Sequence, residues 1–164
     1  MLTILLVRNL MLPICIKISA YVYGGALSNS GDIQDVAGVF ENNTIDVVLD
    51  LNGMAPSPSS WSSNYAMVYI NGVALSNSGE IQNVTGAFIN NFAITTIKLG
   101  SSNNDRGSAI SYGGAIYNNG SIFSINADFL NNSVGYGGAI YNSETIENIV
   151  GDFIANSGIA IYND

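Results

Sequence analysis

Two aspartates at equivalent places in the sequence are the first candidates for chemistry. Asp128 and Asp152 each stand directly before a phenylalanine, 24 residues apart. If their segments stack as neighbouring parallel strands, the two carboxylates lie about 5 Å apart, a separation typical of retaining glycosidases. Half of a calcium site also fits, but calcium takes about six to eight oxygen ligands and the pattern offers no third one. Val39 and Ala87 fill the same place elsewhere, so an exposed acidic pair is the preferred interpretation.

Catalysis at such a pair needs a basic partner, and the sequence is poor in them. The chain has no histidine, which removes the commonest general base and zinc ligand. Beyond residue 20 the basic residues are Lys98 and Arg106, and Arg106 follows Asp105 in an Asn- and Ser-rich segment typical of a solvated ion pair. The single cysteine, Cys15, excludes an intrachain disulfide and a CxxC motif. We therefore predict that the chain is not an enzyme and binds no cofactor and no metal.

The charge of the chain excludes one class of partner. Twelve acidic residues against four basic ones give a net charge of -8. A polyanion or an anionic membrane surface repels such a protein, so we predict no nucleic-acid binding.

Tyrosines form the remaining chemical pattern. Tyr117 and Tyr141 follow the tetrapeptide GGAI in two segments, and Tyr112 and Tyr136 precede the glycines of the same segments. A stripe of aromatic rings can bind sugars by stacking, and it can equally cover the corners of a fold.

All of these candidates belong to an internal repeat. Four similar copies begin at Gly24, Gly72, Gly113 and Gly137. We interpret the unit as about 24 residues, with a degenerate unit inside the first interval of 48 residues and a 17-residue insertion inside the second interval of 41. Residues 44–71 and 96–112 are then the irregular parts.

Several columns of the repeat hold one residue type, which predicts ladders of identical side chains. The predicted ladders are Asn29, Asn77, Asn118 and Asn142; Phe40, Phe88, Phe129 and Phe153; and Asn43, Asn91, Asn132 and Asn156. Strands of successive copies lie about 4.8 Å apart when paired, which lets aromatic rings stack and side-chain amides bond to one another. The glycine pairs at the start of the copies suit a sharp corner.

The repeat predicts an all-β fold, because a unit of this size cannot bury its Ile, Val and Phe alone. We predict a right-handed single-stranded parallel β-helix, a β-solenoid of roughly six to seven coils including degenerate ones. Ile33, Val36 and Phe40 also fit one face of an amphipathic helix. Gly38 and Gly86 disfavour that alternative, since each costs about 1 kcal/mol inside a helix.

The first 20 residues allow two interpretations, so the predicted domains are 1–20 and a solenoid over 21–164. Residues 1–20 are apolar and end in a small pair, Ser19 and Ala20, typical of a cleaved secretion signal. After Pro13 the side chains instead alternate, with Ala20 and Val22 on one face and Tyr21 on the other, which is typical of an N-terminal strand.

Paired tetrapeptides carry a resemblance to a known family. The first of each pair reads GGAL at 24–27, GVAL at 72–75, and GGAI at 113–116 and 137–140; the second reads FENN at 40–43, FINN at 88–91, FLNN at 129–132 and FIAN at 153–156. In these motifs the chain resembles the repeat region of chlamydial-type polymorphic outer membrane proteins and other autotransporter passengers. The resemblance implies a location at the cell surface or outer membrane, or secretion. It also implies adhesion or display, with a host-surface or glycan ligand. Larger members of the family reach the membrane through a C-terminal β-barrel, to which nothing in this sequence is similar.

The sequence therefore predicts a structural or adhesive module without catalysis. A carbohydrate-active β-helix enzyme, a polysaccharide lyase or glycosidase, is the alternative. Residues 158–163 repeat the opening of the earlier copies and stop before the apolar columns. From this we expect the chain to be part of a longer polypeptide, cut within its last coil, and to associate end to end when isolated.

Overall fold

The computed structural model describes residues 17–50, 65–99 and 106–164, and these ranges contain fifteen β-strands and no helix. The first range holds β1 (Lys17–Tyr23), β2 (Leu27–Asn29), β3 (Asp32–Glu41) and β4 (Thr44–Asp50). The second holds β5 (Tyr65–Asn71), β6 (Leu75–Asn77), β7 (Glu80–Ile89) and β8 (Phe92–Lys98). The third holds β9 (Arg106–Tyr112), β10 (Ile116–Asn118), β11 (Ser121–Leu130), β12 (Ile140–Asn142), β13 (Thr145–Val150), β14 (Phe153–Ile154) and β15 (Ile161–Asn163). No helix in these ranges is long and apolar enough to cross a membrane.

Every strand pairs in parallel with the equivalent strand of a neighbouring copy, and the pairs form four sheets. Sheet I has the order β1-β5-β9, sheet II the order β15-β12-β10-β6-β2, sheet III the order β13-β11-β7-β3, and sheet IV the order β4-β8. Strand β14 continues sheet III by pairing with β11. Paired residues in sheet II are offset by 48, 41, 24 and 21 positions along the chain. The described residues are thus all-β, as predicted, and built from parallel sheets.

The expectation of a degenerate unit between the first two copies is wrong. Strand β2 pairs directly with β6, and β3 pairs directly with β7, so no strand is inserted between the copies. The long first interval instead adds strands β4 and β5, which alternate buried and exposed residues, as Ile45, Val47 and Leu49 show in β4. Sheet II has five rungs, rather than the six to seven coils predicted. Asp32 of the first copy and Glu80 of the second are therefore direct partners in sheet III.

The apolar side chains of the sheets form two hydrophobic clusters. The first draws on sheets II and III and contains Leu75, Ile81, Val84, Phe88 and their equivalents in the neighbouring copies. The second draws on sheets I and IV and is centred on β4 and β5. It also contains Val73, which replaces the second glycine of the GGA motif. The longer copies therefore carry a second core that the shorter copies lack among the described residues.

A break in strand pairing explains the helix-like spacing of the apolar columns. Ile33 and Val36 both face the core although three positions separate them, which simple alternation does not allow. The parallel pairing skips Gln34, the residue between them, and the same break recurs at Gln82. The alternation restarts after the break. Since β3 is a strand throughout, the alternative of a helix over this segment is wrong.

The two glycines of the pair Gly113-Gly114 have different roles at the corner. Gly113 has a φ of 64°, a left-handed conformation that side chains with a Cβ rarely adopt. A Cβ on Gly114 would overlap the carbonyl oxygen of Gly138 in the next copy. The first glycine therefore shapes the turn, and the second lets two backbones approach.

Two residues after each ladder phenylalanine the backbone turns a corner, and asparagine occupies it in three of the four copies. Asn42, Asn90 and Asn131 have φ values of 56°, 52° and 52°. Asparagine enters this left-handed region more readily than other residues with a side chain. In the last FxxN motif Ala155 takes the same conformation, with a φ of 54°. The recurring conformation shows that the corner is kept even where the favoured residue is absent.

The described part of the N-terminal segment begins at Lys17 and is a β-strand. Strand β1 begins at Lys17 and pairs with β5 along its whole length. Ala20 is buried and Val22 packs on the second core, whereas Tyr21 and Tyr23 are exposed, as the alternation predicts. Residues 1–16, including Cys15, lie outside the described residues.

The phenylalanine ladder is a continuous stack of nearly parallel rings. Centroid distances from Phe40 through Phe88 and Phe129 to Phe153 are 4.8, 5.1 and 4.7 Å, with interplanar angles of 6°, 4° and 10°. The two inner rings are fully buried, and the two outer rings are half-buried. Offset stacking at this distance adds to the burial of each ring.

The first asparagine ladder has five members, because Asn163 joins the four predicted from the sequence. Each Nδ2 donates to Oδ1 of the next copy, at 2.8, 2.7, 2.7 and 2.6 Å in chain order. The same amide group closes a local turn, since Asn29 Nδ2 donates to the carbonyl oxygen of Gly31 and Asn29 Oδ1 accepts from the N–H of Gly31. The four buried members, Asn29, Asn77, Asn118 and Asn142, therefore use both their donors and their acceptor.

The second asparagine ladder ties the copies together through side chain and backbone. Nδ2 donates to Oδ1 of the next copy at 2.8, 2.8 and 3.0 Å from Asn43 through Asn91 and Asn132 to Asn156. Asn132 Nδ2 also donates to the carbonyl oxygen of Phe88 at 2.9 Å, and its Oδ1 accepts from the backbone N–H of Asn91 at 3.1 Å. Each member thus satisfies polar groups in neighbouring copies.

Replacing Phe129 by alanine should lower the free energy of unfolding by about 3–5 kcal/mol, because the ring is 0% exposed and lies between Phe88 and Phe153. Urea unfolding measures the change. Phe123→Ala is the matched control, since this ring is in the same strand and is 52% exposed, and we expect it to change stability by under about 0.5 kcal/mol. A loss below about 1 kcal/mol at Phe129 would contradict the ladder.

Asn132→Ala should lower the unfolding free energy by about 1–3 kcal/mol, because it leaves buried amide and backbone groups of two copies without partners. The comparison variant is Asn126→Ala, an exposed asparagine of strand β11, which ends two residues before Asn132. Equal effects of the two substitutions in urea unfolding would show that the ladder contributes nothing.

Candidate functional site

The acidic pair lies where the repeat predicts it. The backbone N–H of Asp152 donates to Oδ1 of Asp128 at 3.0 Å, and both residues are exposed. No group of three or more His, Cys, Asp or Glu side chains within residues 17–50, 65–99 and 106–164 is arranged to hold a metal ion. One carboxylate therefore accepts a backbone hydrogen bond that links two strands, which is a structural role.

Lys98 and Arg106, the basic residues beyond residue 20, lie in strands β8 and β9, which do not pair with the strands next to Asp128 and Asp152. Lys98 Nζ lies 3.7 Å from Asp50 Oδ2, an ion pair between neighbouring strands of sheet IV that the sequence analysis did not foresee. Both side chains are about half exposed, so the pair contributes little to stability. Arg106 begins β9 opposite Tyr65, and its predicted partner Asp105 lies outside the described residues.

The tyrosines form the densest cluster of functional groups. Tyr117, Tyr141 and Tyr162 are register partners in sheet II, and their rings stack at 5.5 and 5.3 Å. Tyr112 and Tyr136 flank this stack, with the Tyr112 ring 4.5 Å from that of Tyr141. Tyr141 is only 7% exposed, and its hydroxyl donates to Asp164 Oδ2 at 2.8 Å. The rings of this tyrosine cluster mostly cover one another.

A groove continues the tyrosine stack towards the N-terminal copies. Ser28 and Ser76 occupy the register positions of Tyr117, and their short side chains leave the space that a ring takes in the next three rungs. The groove has a volume of about 310 Å³, and beside the two serines it is lined by Tyr23, Asn71, Ser78, Tyr117 and Asn119. Neither a charged nor an aliphatic side chain lines it. The groove is therefore a polar cleft that ends on an aromatic ring.

One polar atom at the groove has no partner. Oδ1 of Asn71 is buried and accepts no hydrogen bond from the described part of the chain. Buried polar atoms are nearly always paired. This atom has almost no accessible surface, so a donor in the groove would reach it only if neighbouring side chains moved. The sequence analysis named Tyr117 but missed Tyr23 and Asn71. Both directly precede the first glycine of their copies, as Tyr112 does, so their place in the repeat was the signal that could have found them.

The tyrosine cluster is held in its neutral form. Burial raises the pKa of the Tyr141 hydroxyl well above its ordinary value of 10.0, and the hydrogen bond to Asp164 and the charge of that residue raise it further. Burial also raises the pKa values of Tyr112 and Tyr117. A phenolate is therefore not available here as a base near neutral pH, and the hydroxyls serve as hydrogen-bonding groups.

These raised pKa values make the fold sensitive to alkali. The stabilising difference for Tyr141 is fully present below pH 10, the ordinary pKa of an unfolded tyrosine, and is lost as the pH rises above 10. Between pH 9 and pH 11 we expect Tyr141→Phe to lose about 1 kcal/mol less unfolding free energy than the unmodified chain. Urea unfolding at both pH values decides it, and identical losses would contradict the assignment.

Comparisons with models of protein families, with curated proteins and with solved structures find no match for the chain. The likeness to passenger repeats therefore rests on the paired tetrapeptides alone, and the function is inferred from the geometry of the site.

Proposed function

We propose that the chain is a non-catalytic adhesive or display module, built as a right-handed parallel β-solenoid and presented at a cell surface or secreted. The observation that carries the proposal is that the recurring polar side chains are hydrogen-bonded within the fold. The asparagines of both ladders are bonded to each other and to the backbone, so they build the fold. The recurring residues therefore supply a long, regular scaffold instead of reactive groups.

The solenoid is supported by the path of the chain through the sheets. In the first two copies the chain passes from sheet I through sheets II, III and IV and returns to sheet I, where the new strand pairs in parallel with the starting one. In the later copies the described strands alternate between sheets II and III after β9. Crossover connections between parallel strands of one sheet are right-handed in about 98% of cases. A chain that repeats such crossovers winds as a right-handed helix of strands.

Adhesion or display is supported by the tetrapeptide motifs and by what the surface offers. The groove brings together side chains of tyrosines, serines and asparagines. Hydroxyl, amide and aromatic groups suit reversible binding of a neutral ligand better than bond cleavage. End-to-end association of the isolated chain stays a prediction.

Binding without turnover is the expected outcome in a direct test. The purified chain is applied to immobilised glycans and to cultured epithelial cells, and the same material is assayed for release of reducing sugar or unsaturated products from neutral and acidic polysaccharides. We expect saturable attachment and no product. The control is the double variant Asp128→Asn with Asp152→Asn, which should attach as well as the unmodified chain.

Two results would overturn the proposal. The first is polysaccharide turnover that disappears in the double aspartate variant, because it would make the acidic pair catalytic and favour the carbohydrate-active enzyme. The second is the absence of attachment to every glycan and cell surface tested.

A further inference from the structure

We propose that the groove between Tyr23 and Tyr117 binds a neutral sugar, with one pyranose ring stacked on the face of Tyr117. The inference rests on the proposed adhesive function and names the ligand class and the site. It begins from the tyrosine column of sheet II. Three rungs of this column hold stacked rings, and the two preceding rungs hold serines.

The shape of the groove favours a flat ring. The tyrosine rings repeat at 5.5 and 5.3 Å, close to the spacing of the strands that carry them. One face of Tyr117 stacks on Tyr141, and the other faces the rung of Ser76. Ser76 itself is only 4% exposed, so a ring that continues the stack has to enter where the exposed Ser28 and Ser78 line the groove. Sugar rings present apolar C–H faces that pack on aromatic rings in this way.

The lining of the groove matches the edge of a sugar ring. Ser28 supplies an exposed hydroxyl. Ser78 Oγ donates to the carbonyl oxygen of Asn29 and can still accept, and Asn119 Nδ2 can donate while its Oδ1 accepts from Ser143 Oγ. Sites of this kind combine one aromatic platform with a few polar groups that fix orientation.

Charge decides between neutral and acidic sugars. No basic side chain lines the groove, and the whole chain carries a net charge of -8. An acidic sugar would lose hydration of its carboxylate and gain no cationic partner. An aromatic side chain of a partner protein could stack on Tyr117, but it would leave the polar lining without hydrogen bonds. A neutral sugar satisfies both parts of the site.

Filling the groove provides the sharpest test. Ser76→Tyr introduces the residue that three other rungs carry in this column, so the fold should accept it, and its ring should take the place of the ligand. Tyr117→Ser removes the platform, whereas Tyr117→Phe keeps it. Ser108→Tyr is the matched control, since Ser108 is an exposed serine of strand β9 that does not line the groove.

The probes are lactose, maltose and mannobiose, with trigalacturonate as the acidic comparison and N-acetyltyrosinamide as the aromatic one. Saturation-transfer NMR and calorimetry measure binding to the full chain, and thermal unfolding confirms that each variant folds. We expect at least one neutral disaccharide to bind. Its affinity should fall at least tenfold in Ser76→Tyr and Tyr117→Ser, and stay within about threefold in Tyr117→Phe and Ser108→Tyr.

Other outcomes overturn the sugar site without confusing it with the adhesive function. Binding of none of the three disaccharides, a preference for either comparison probe, or disaccharide binding unaffected in a folded Ser76→Tyr variant would each refute it. If the chain attaches to cells and Ser76→Tyr attaches equally well, adhesion stands and the groove is not its site. If disaccharides bind in the groove and no surface is bound, the sugar site stands and the adhesive proposal fails.

Discussion

The structure depends on one constraint, the in-register parallel pairing of each strand with its equivalent in the next copy. That pairing sets equivalent residues about 4.8 Å apart, close to the distance at which aromatic rings stack and well within the reach of side-chain amides. The Phe88 and Phe129 rings and the Asn91 and Asn132 amides meet for this reason. A shift of the pairing by one residue would separate every such pair and turn apolar side chains outward.

The same constraint explains why burial depends on the position of a copy. Phe88 and Phe129 have a ring on both sides and are fully buried, whereas Phe40 and Phe153 have one neighbour and are half-buried. Each copy therefore stabilises its neighbours more than itself, which is the energetic character of repeat proteins. Hydrogen-bonded asparagines follow the same rule, because each amide bonds to the copy that follows it.

Variation in the length of the copies is what gives the scaffold distinct surfaces. The intervals of 48 and 41 residues add strands around a second core, and the later intervals of 24 and 21 do not show them among the described residues. The register of sheet II is unchanged because the extra residues lie outside its strands, between the end of one copy and the start of the next. One column of sheet II holds Ser76 in one copy and Tyr117 in the next. The short serine side chain leaves a groove beside the tyrosine ring, and the strand pairing is not disturbed.

Sequence alone determined the ladders, the β class and the corners of the repeat. A constant offset of 16 between the GGA and FxxN motifs places Phe129 and Asn132 at the same points as their equivalents, and identical side chains at such points have few uses other than stacking. Only the tertiary structure decided which copies touch. Strands Thr44–Asp50 and Phe92–Lys98 share no motif, so no repeated residues indicated that they pair. For this reason the sequence analysis placed a degenerate unit in the first interval. The groove was also decided in three dimensions, because a cleft is formed by what neighbouring strands leave empty, and a linear pattern records only the residues that are present.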